Sequence, residues 1–226
     1  MKTYNLLKKL ERLPLFTEND VSKIINKSAK YVKTLLYRLN KNELIKRIEK
    51  GKYTLYDDAI IYVSHITTPS YISLWTALRY YNMTQQQPTS LFIMVPKKRK
   101  NINKKISSIH FVSTKNMFGY KKERYSDFDI FIAEPEKAII DSMLFKIPLE
   151  DIIIALNSSE IDFDKLSIYA NITKNKSLIK RLGYLIEKKT GKTYNLKAND
   201  NNYISLDYNK KKAGKKNKKW RLIINT

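Results

Sequence analysis

The chain has 226 residues, 42% of them hydrophobic and 12% aromatic, which is enough for one large domain or two small ones. It contains no cysteine, which excludes disulfides, thiolate catalysis and cysteine-based zinc sites. Its 44 lysine and arginine residues outnumber 21 aspartate and glutamate residues, and the formal net charge of +23 makes polyanions the expected partners.

The N-terminal segment MKTYNLLKKLERL is charged throughout. It lacks the apolar core and small-residue cleavage site of a secretory signal. No part of the sequence approaches the roughly 18 uninterrupted apolar residues of a membrane helix. A cytoplasmic protein that does not contact a membrane is therefore expected.

The first 58 residues have the pattern of three amphipathic helices followed by a hairpin. Leucines at helical spacing predict a helix over 5–13, which Pro14 ends. Thr17 and Ser28 are well placed to cap the second and third helices. The runs LIKRIEK and KYTLY, on either side of Gly51, predict two short strands. The third helix is expected to bury one apolar stripe, formed by Ala29, Val32, Leu36 and Leu39.

This order is typical of a winged helix-turn-helix, in which the third helix enters the DNA major groove and the hairpin contacts the backbone or minor groove. The sequence therefore predicts binding of double-stranded DNA. The candidate contacts on the third helix are Ser28, Lys30, Tyr31, Lys33, Thr34, Tyr37, Arg38 and Lys41, and those on the hairpin are Lys50 and Lys52. Two alternatives stay open, because outward basic faces are often plain solvated surface and winged helices also bind proteins.

Residues 59–226 are predicted to form a larger mixed α/β domain, so the expected fold class is α+β with a domain boundary at residue 58. The pattern predicts a linker helix over 57–66 and a helix LWTALRYYNM capped by Ser73. Strands are expected in TSLFIMVP, IHFVSTK and ERYSDFDIFIA, and helices over 148–156, 164–171 and 177–189. Arg181 is expected to be partly buried and structural. The tail YISLDY…WRLIIN is expected to be a hairpin with a long lysine-rich connection.

Two lysine-rich segments, KKRKNINKK at 97–105 and NKKKAGKKNKK at 209–219, are candidates for a second polyanion contact. The candidate residues are Lys97, Lys98, Arg99, Lys100, Lys211, Lys212, Lys215 and Lys216. The first segment fits a charged loop that keeps a sheet edge soluble equally well, and the second fits a disordered, solvated connection.

The segment EPEKAIID raises the question of a metal-dependent nuclease, because Asp127 and Asp129 lie upstream of Glu134 and Glu136. Its spacing does not match the Glu-x-Lys of such sites. Pro135 instead fits the first turn of a helix, with both glutamates at the positive end of the helix dipole. No phosphate-binding loop, nucleophile elbow or metal-ligand spacing is present, so no catalytic residue, metal or cofactor is predicted.

Four sequence blocks, in order, resemble the AbiEi family of antitoxins from type IV toxin–antitoxin systems. AEPEKAIID resembles the family signature pEKAllD, and PSYISLWTALRYYNMTQQQP is similar to YISlesAL…yGLteq.P. KRLGYLIEKKTG resembles kRLGyLLE, and YISLDYNKKKAGKKNKKWRLIIN resembles the C-terminal y.pLdp…g…kW.livN. With the N-terminal helices, the resemblance covers the whole chain. Asn82 stands where the family usually has glycine, and the C-terminal lysine run is unusually dense.

The resemblance implies an antitoxin that represses its own operon and counters a toxin of nucleotidyltransferase type. Operator sites in the family are typically inverted repeats, and the C-terminal domain carries the antitoxin activity. Whether the two proteins bind each other directly stays open, and a monomer or weak dimer is expected. The alternatives are a standalone winged-helix transcription factor without a toxin and a metal-dependent nuclease.

Overall fold

The computed structural model describes residues 3–103 and 108–226, in which nine helices and twelve strands are arranged with three sheets. This confirms the α+β class. Lys104 and Lys105, in the first lysine-rich segment, lie outside the described residues. No helix within those described ranges is long and apolar enough to cross a membrane.

The chain divides into two compact units. The first comprises Met1–Ile72, Thr89–Thr114 and Lys122–Ile132, and the second comprises Ser73–Pro88, Lys115–Lys121 and Ala133–Thr226. Because the first unit includes segments on both sides of residue 58, the predicted domain boundary there stays a prediction.

The N-terminal part of the first unit consists of three helices and a three-stranded sheet. Its elements are α1 (Thr3–Leu10), β1 (Phe16–Thr17), α2 (Glu18–Ile25), α3 (Ala29–Lys41), β2 (Lys46–Glu49) and β3 (Lys52–Thr54). The strand order is β1-β3-β2, and both pairs are antiparallel. Between the helices and this sheet lies a core formed by Leu6, Leu10, Phe16, Val21, Val32, Leu36, Leu39, Ile45 and Tyr53.

The predicted buried stripe of α3 is correct at three positions and wrong at one. Val32, Leu36 and Leu39 are buried, whereas Ala29 is exposed. Ala29 is the first residue of the helix, so its short side chain lies at the end of the stripe and projects beyond the core.

A six-stranded sheet forms most of the rest of the first unit, and one short helix precedes it. These elements are α4 (Ile60–Val63), β4 (Tyr71–Ile72), β5 (Ser90–Val95), β6 (Ile102–Asn103), β7 (Ser108–Ser113), β8 (Tyr120–Tyr125) and β9 (Phe128–Ala133). The strand order is β6-β7-β5-β4-β9-β8. β5 runs parallel to β7 over its full length, and β4 runs parallel to β9.

The helix predicted over 57–66 is only four residues long, which corrects that prediction. At its start, the Asp58 carboxylate accepts a hydrogen bond from the Ile60 N–H at 2.9 Å. At its end, the Ser64 carbonyl accepts from the Ser70 hydroxyl at 2.9 Å. At both ends, a side chain thus bonds a backbone group that a longer helix would have bonded to its own backbone.

The second unit contains five helices and a small sheet. Its elements are α5 (Leu74–Tyr80), α6 (Pro135–Leu144), α7 (Leu149–Leu156), α8 (Phe163–Ile172), α9 (Lys176–Thr190), β10 (Ile204–Ser205), β11 (Lys215–Asn217) and β12 (Leu222–Ile224). The predicted helices over 148–156, 164–171 and 177–189 correspond to α7, α8 and α9. Arg181 is partly buried as predicted, and its Nε donates to the carbonyls of Ser205 and Leu206 at 2.9 and 3.2 Å.

The prediction of a simple C-terminal hairpin is wrong. The strand order is β10-β12-β11, with β10 parallel to β12 and β11 antiparallel to it. The lysine-rich connection therefore supplies the strand that pairs with the C-terminal end. Gly214 permits this close pairing, because a Cβ there would lie 1.9 Å from the Ile224 carbonyl oxygen.

Candidate nucleic-acid interface

The seven predicted side chains along α3 lie on one exposed face. Tyr31 and Tyr37 are 54% and 68% exposed. The other five, all exposed, are Lys30, Lys33, Thr34, Arg38 and Lys41. The helix therefore presents cationic, aromatic and hydroxyl groups to solvent while its leucines hold it to the core.

A three-residue turn positions α3 after α2. α2 ends at Ile25, and the left-handed backbone conformation of its C-cap residue Asn26 reverses the chain. The Ser22 hydroxyl donates to the Lys27 carbonyl at 2.7 Å. Ser28 then caps α3, its hydroxyl oxygen accepting from the Tyr31 N–H at 3.5 Å. Ser28 is thus placed as the predicted cap, and the same residue lies at the edge of the exposed face.

The positive charge of this face is largely unneutralised. In the part of the chain that the structure describes, Lys30, Arg38 and Lys41 form no ion pair. Lys33 approaches the partly buried Glu18 carboxylate only to 3.9 Å, and the Lys33 side chain is exposed. Residues of this face line a shallow depression of about 340 Å³ that includes Thr34. Solvent-exposed cations without internal partners can contact phosphates without first breaking an ion pair.

The hairpin is attached to the end of α3, because the Asn40 side chain accepts from the Arg47 N–H at 2.9 Å. Lys50 is exposed at the turn, as predicted. Lys52 faces the protein instead: its Nζ lies 2.9 Å from the Glu49 carboxylate and donates to the Ile66 carbonyl. Arg47, which the sequence-based prediction omitted, is exposed on β2. Its neighbour Ile48 is buried, and strand alternation could have indicated this orientation.

The loop 97–100 combines one anchored cation with three exposed ones. The Arg99 guanidinium contacts the Glu49 carboxylate at 2.5 Å and lies 4.1 Å from the Phe111 ring centroid. The side chains of Lys97, Lys98 and Lys100 are exposed. Of the four residues predicted here as polyanion contacts, three are therefore accessible, whereas Arg99 already has internal partners.

The four predicted contacts of the C-terminal tail belong to the second unit and are all exposed. Lys211 and Lys212 precede Gly214, and Lys215 and Lys216 lie on β11. The Lys216 ammonium lies 5.4 Å from the Tyr203 ring centroid. Two of these lysines thus lie on a regular strand, so part of the connection has secondary structure.

The acidic residues that raised the question of a nuclease are engaged by neighbouring cations and donors. α6 begins at Pro135 with Glu134 as its N-cap, which confirms the prediction of a charged helix start. Glu134 and Glu136 contact the Lys165 ammonium at 3.0 and 3.3 Å. Tyr169 donates to Glu134, and burial together with this carboxylate raises the pKa of Tyr169 to about 12.

The upstream aspartates are in the other compact unit. Asp129 lies 3.1 Å from Lys122 and 3.5 Å from Arg124, and the hydrogen bond from Lys122 lowers the pKa of Asp129. Asp127 is exposed in the turn before β9. Within residues 3–103 and 108–226, no three histidine, aspartate or glutamate side chains are grouped as metal ligands would be.

A buried ion pair on α6 was not predicted from the sequence. The side chains of Lys137 and Asp141 are fully buried and form an ion pair one helical turn apart. The Ser73 hydroxyl donates to the same Asp141 carboxylate at 2.8 Å instead of capping α5, which corrects the cap prediction. Burial lowers the pKa of Lys137, and the carboxylate opposes that shift. The i,i+4 spacing of opposite charges, with Ala138, Ile139 and Ile140 between them, was the available signal.

Residues of the four blocks that resemble the AbiEi family contact each other two by two inside the second unit. Ser73, in the block PSYISLWTALRYYNMTQQQP, donates to Asp141 in the block AEPEKAIID. Gly183, in the third block, packs directly under the Trp220 indole of the fourth. The indole N–H of Trp220 also donates to Glu187 at 2.5 Å. These five residues of the blocks therefore have packing and hydrogen-bonding roles within the second unit.

No protein-family model matches this chain. A search of curated proteins likewise gives no match. The family assignment therefore stays a hypothesis based on the four blocks.

Proposed function

We propose that residues 3–54 form a winged helix-turn-helix that binds double-stranded DNA through α3 and the β2–β3 hairpin. The observation that carries the proposal is the exposed face of α3, with its unneutralised cations and two solvent-exposed tyrosines. The element order and the β1-β3-β2 sheet are those expected of this motif. A helix of this kind meets phosphates with its cations and base edges with tyrosine and threonine groups.

We further propose that the protein is an autorepressor and the antitoxin of a type IV toxin–antitoxin system. The DNA-binding face supports the repressor role. The antitoxin role rests on the four sequence blocks that resemble the AbiEi family, and it implies a nucleotidyltransferase-type toxin as the functional counterpart. A winged-helix transcription factor without a toxin would share the same DNA-binding face.

A gel-shift titration against the protein's own upstream region tests DNA binding. A scrambled duplex of equal length is the competitor, and the titration is repeated at two salt concentrations. Selective binding that persists at the higher salt is expected of a site-specific repressor. Binding that ignores sequence and is lost with salt would contradict the repressor proposal.

Substitutions on α3 locate the interface. Lys30→Ala, Thr34→Ala and Arg38→Ala should each weaken operator binding, by about 1–3 kcal/mol where a base contact is lost. Where a phosphate contact is lost, the salt slope should decrease by about 1. Lys188→Ala, which removes an exposed lysine of the second unit, is the matched control. If all three variants bind like the control, the site is not on α3.

Co-expression tests the antitoxin role. The reading frame downstream of the gene is expressed alone and together with this protein, and growth is measured. Toxicity that this protein relieves is expected. A harmless downstream product, with operator binding intact, would favour the standalone transcription factor.

A further inference from the structure

The first unit has a second basic surface beside the hairpin, distinct from the exposed face of α3. It is a shallow groove of about 780 Å³. Its lining includes the loop 97–100, residues 67–69 and Glu49 of the hairpin. We name this surface the hairpin groove.

The loop that forms the groove is held at alternate residues. Arg99 is fixed between the Glu49 carboxylate and the Phe111 ring, and the Asn101 side chain accepts from the Phe111 N–H at 3.0 Å. Lys98 and Lys100 lie between and beside these anchors and are exposed. The backbone is thus fixed while the lysine side chains remain available, an arrangement that reduces the entropy lost on binding.

The only carboxylate lining the groove in the described residues is already neutralised. Glu49 contacts Lys52 at 2.9 Å as well as Arg99. In the same described ranges, Lys97, Lys98 and Lys100 form no ion pair. The groove therefore has three uncompensated positive charges and no uncompensated negative charge.

We propose that the hairpin groove binds the phosphate backbone of the duplex that α3 engages, through Lys97, Lys98 and Lys100, with Arg99 as a positioning residue. This inference rests on the proposed DNA-binding function. A duplex seated on α3 has its backbone passing the hairpin, and the hairpin is tied to α3 through the bond between Asn40 and Arg47.

The lining of the groove favours a duplex over single-stranded nucleic acid. Single-strand sites combine cations with aromatic side chains on which bases stack. No aromatic residue is among the described residues that line the groove. The cations and threonine hydroxyls of the groove are suited to binding phosphates, which carry no sequence information.

The test compares two triple variants that remove the same charge. Lys97, Lys98 and Lys100 are changed together to glutamine in one, and the exposed Lys188, Lys192 and Lys197 of the second unit in the other. Affinity for a labelled duplex from the upstream region and for its scrambled version is measured by fluorescence anisotropy at several salt concentrations. A labelled single-stranded oligouridine serves as a third probe.

We expect the groove variant to lower the slope of log affinity against log salt by about 2–3, since each released phosphate contact contributes about 0.9. The ratio of operator to scrambled affinity should be unchanged, and the control should keep the wild-type slope. A groove variant that behaves like the control overturns the inference while leaving the function of α3 intact. A groove variant that weakens binding of oligouridine but not of the duplexes also overturns the inference. A wild type without duplex selectivity overturns the proposed function itself.

Discussion

Replacing Lys137 by methionine should destabilise the second unit far more than the loss of an exposed lysine would. The substitution keeps an unbranched side chain of similar length but removes the ammonium group. The Asp141 carboxylate, which is fully buried, then loses the cation with which it is paired. Breaking a buried ion pair by removing one partner typically costs about 3–5 kcal/mol. This is a large share of the roughly 5–15 kcal/mol by which domains are stable.

Tryptophan fluorescence during urea unfolding is the appropriate assay. Both tryptophans of the chain, Trp75 and Trp220, belong to the second unit, so their emission reports that unit. With an m-value of ~2 kcal/mol per molar, Lys137→Met should lower the urea midpoint by about 1.5–2.5 M. Lys122→Met, at an exposed ion pair of the first unit, is the control and should unfold like the wild type.

A multiple variant separates the loss of the pair from a simple packing defect. Ser73→Ala, Lys137→Met and Asp141→Leu together remove all three polar groups, and apolar replacements of buried pairs are often neutral or stabilising. The triple variant should therefore recover most of the stability lost by Lys137→Met alone. An unchanged midpoint in Lys137→Met would refute the reasoning, and so would a triple variant that is as unstable as the single one.

Gly183→Ala should destabilise the second unit by about 1–3 kcal/mol through overpacking, because the new Cβ would lie 2.2 Å from the Trp220 ring. Adding Trp220→Leu to the same chain should relieve this clash. If the two substitutions instead lower the urea midpoint additively, the prediction is wrong. Burial raises the pKa of three tyrosines from 10.0 to about 12, so the stability that depends on their protonation is complete below pH 10 and is lost as the pH rises through 12. Absorbance at 295 nm should show these three ionising last; they are Tyr62, Tyr169 and Tyr208. Changing the four predicted tail contacts to glutamine should weaken binding to scrambled duplex and leave the operator-to-scrambled ratio unchanged, and unaltered anisotropy curves would exclude a tail contact. Those residues are Lys211, Lys212, Lys215 and Lys216.

Local signals predicted the helices well, because caps and apolar periodicity act within a few residues. Thr17, Ser28 and Pro135 each occur where a helix begins. The exposed face of α3 followed from the same periodicity, since the buried leucines define the opposite side. Helix caps and apolar periodicity depend only on residues that are close together in the sequence, so the sequence alone is sufficient to predict them.

Long-range pairing could not be predicted in the same way. β10 pairs in parallel with one edge of β12 and β11 pairs antiparallel with the other edge, and nothing in the local pattern selects these partners. Lys137 and Asp141 have the composition of a solvated face, and only the packing of the second unit around α6 makes them buried. Lys52 and Arg99 were both predicted as polyanion contacts, yet Glu49 binds both and is remote in sequence from Arg99.

Charged residues of this chain thus occur in two different environments, buried in ion pairs and exposed to solvent, and measurement can distinguish the roles proposed for them. Lys137 is buried and paired, so its loss should change the urea midpoint while the duplex affinity of the folded protein stays the same. Arg38 is exposed and unpaired among the described residues, so its loss should change duplex affinity while the midpoint stays the same. If the DNA-binding surface lies on α3, the Lys137 variant should change only the urea midpoint and the Arg38 variant only the duplex affinity. If Lys137→Met weakened duplex binding at urea concentrations where it is fully folded, the second unit would have to take part in binding directly.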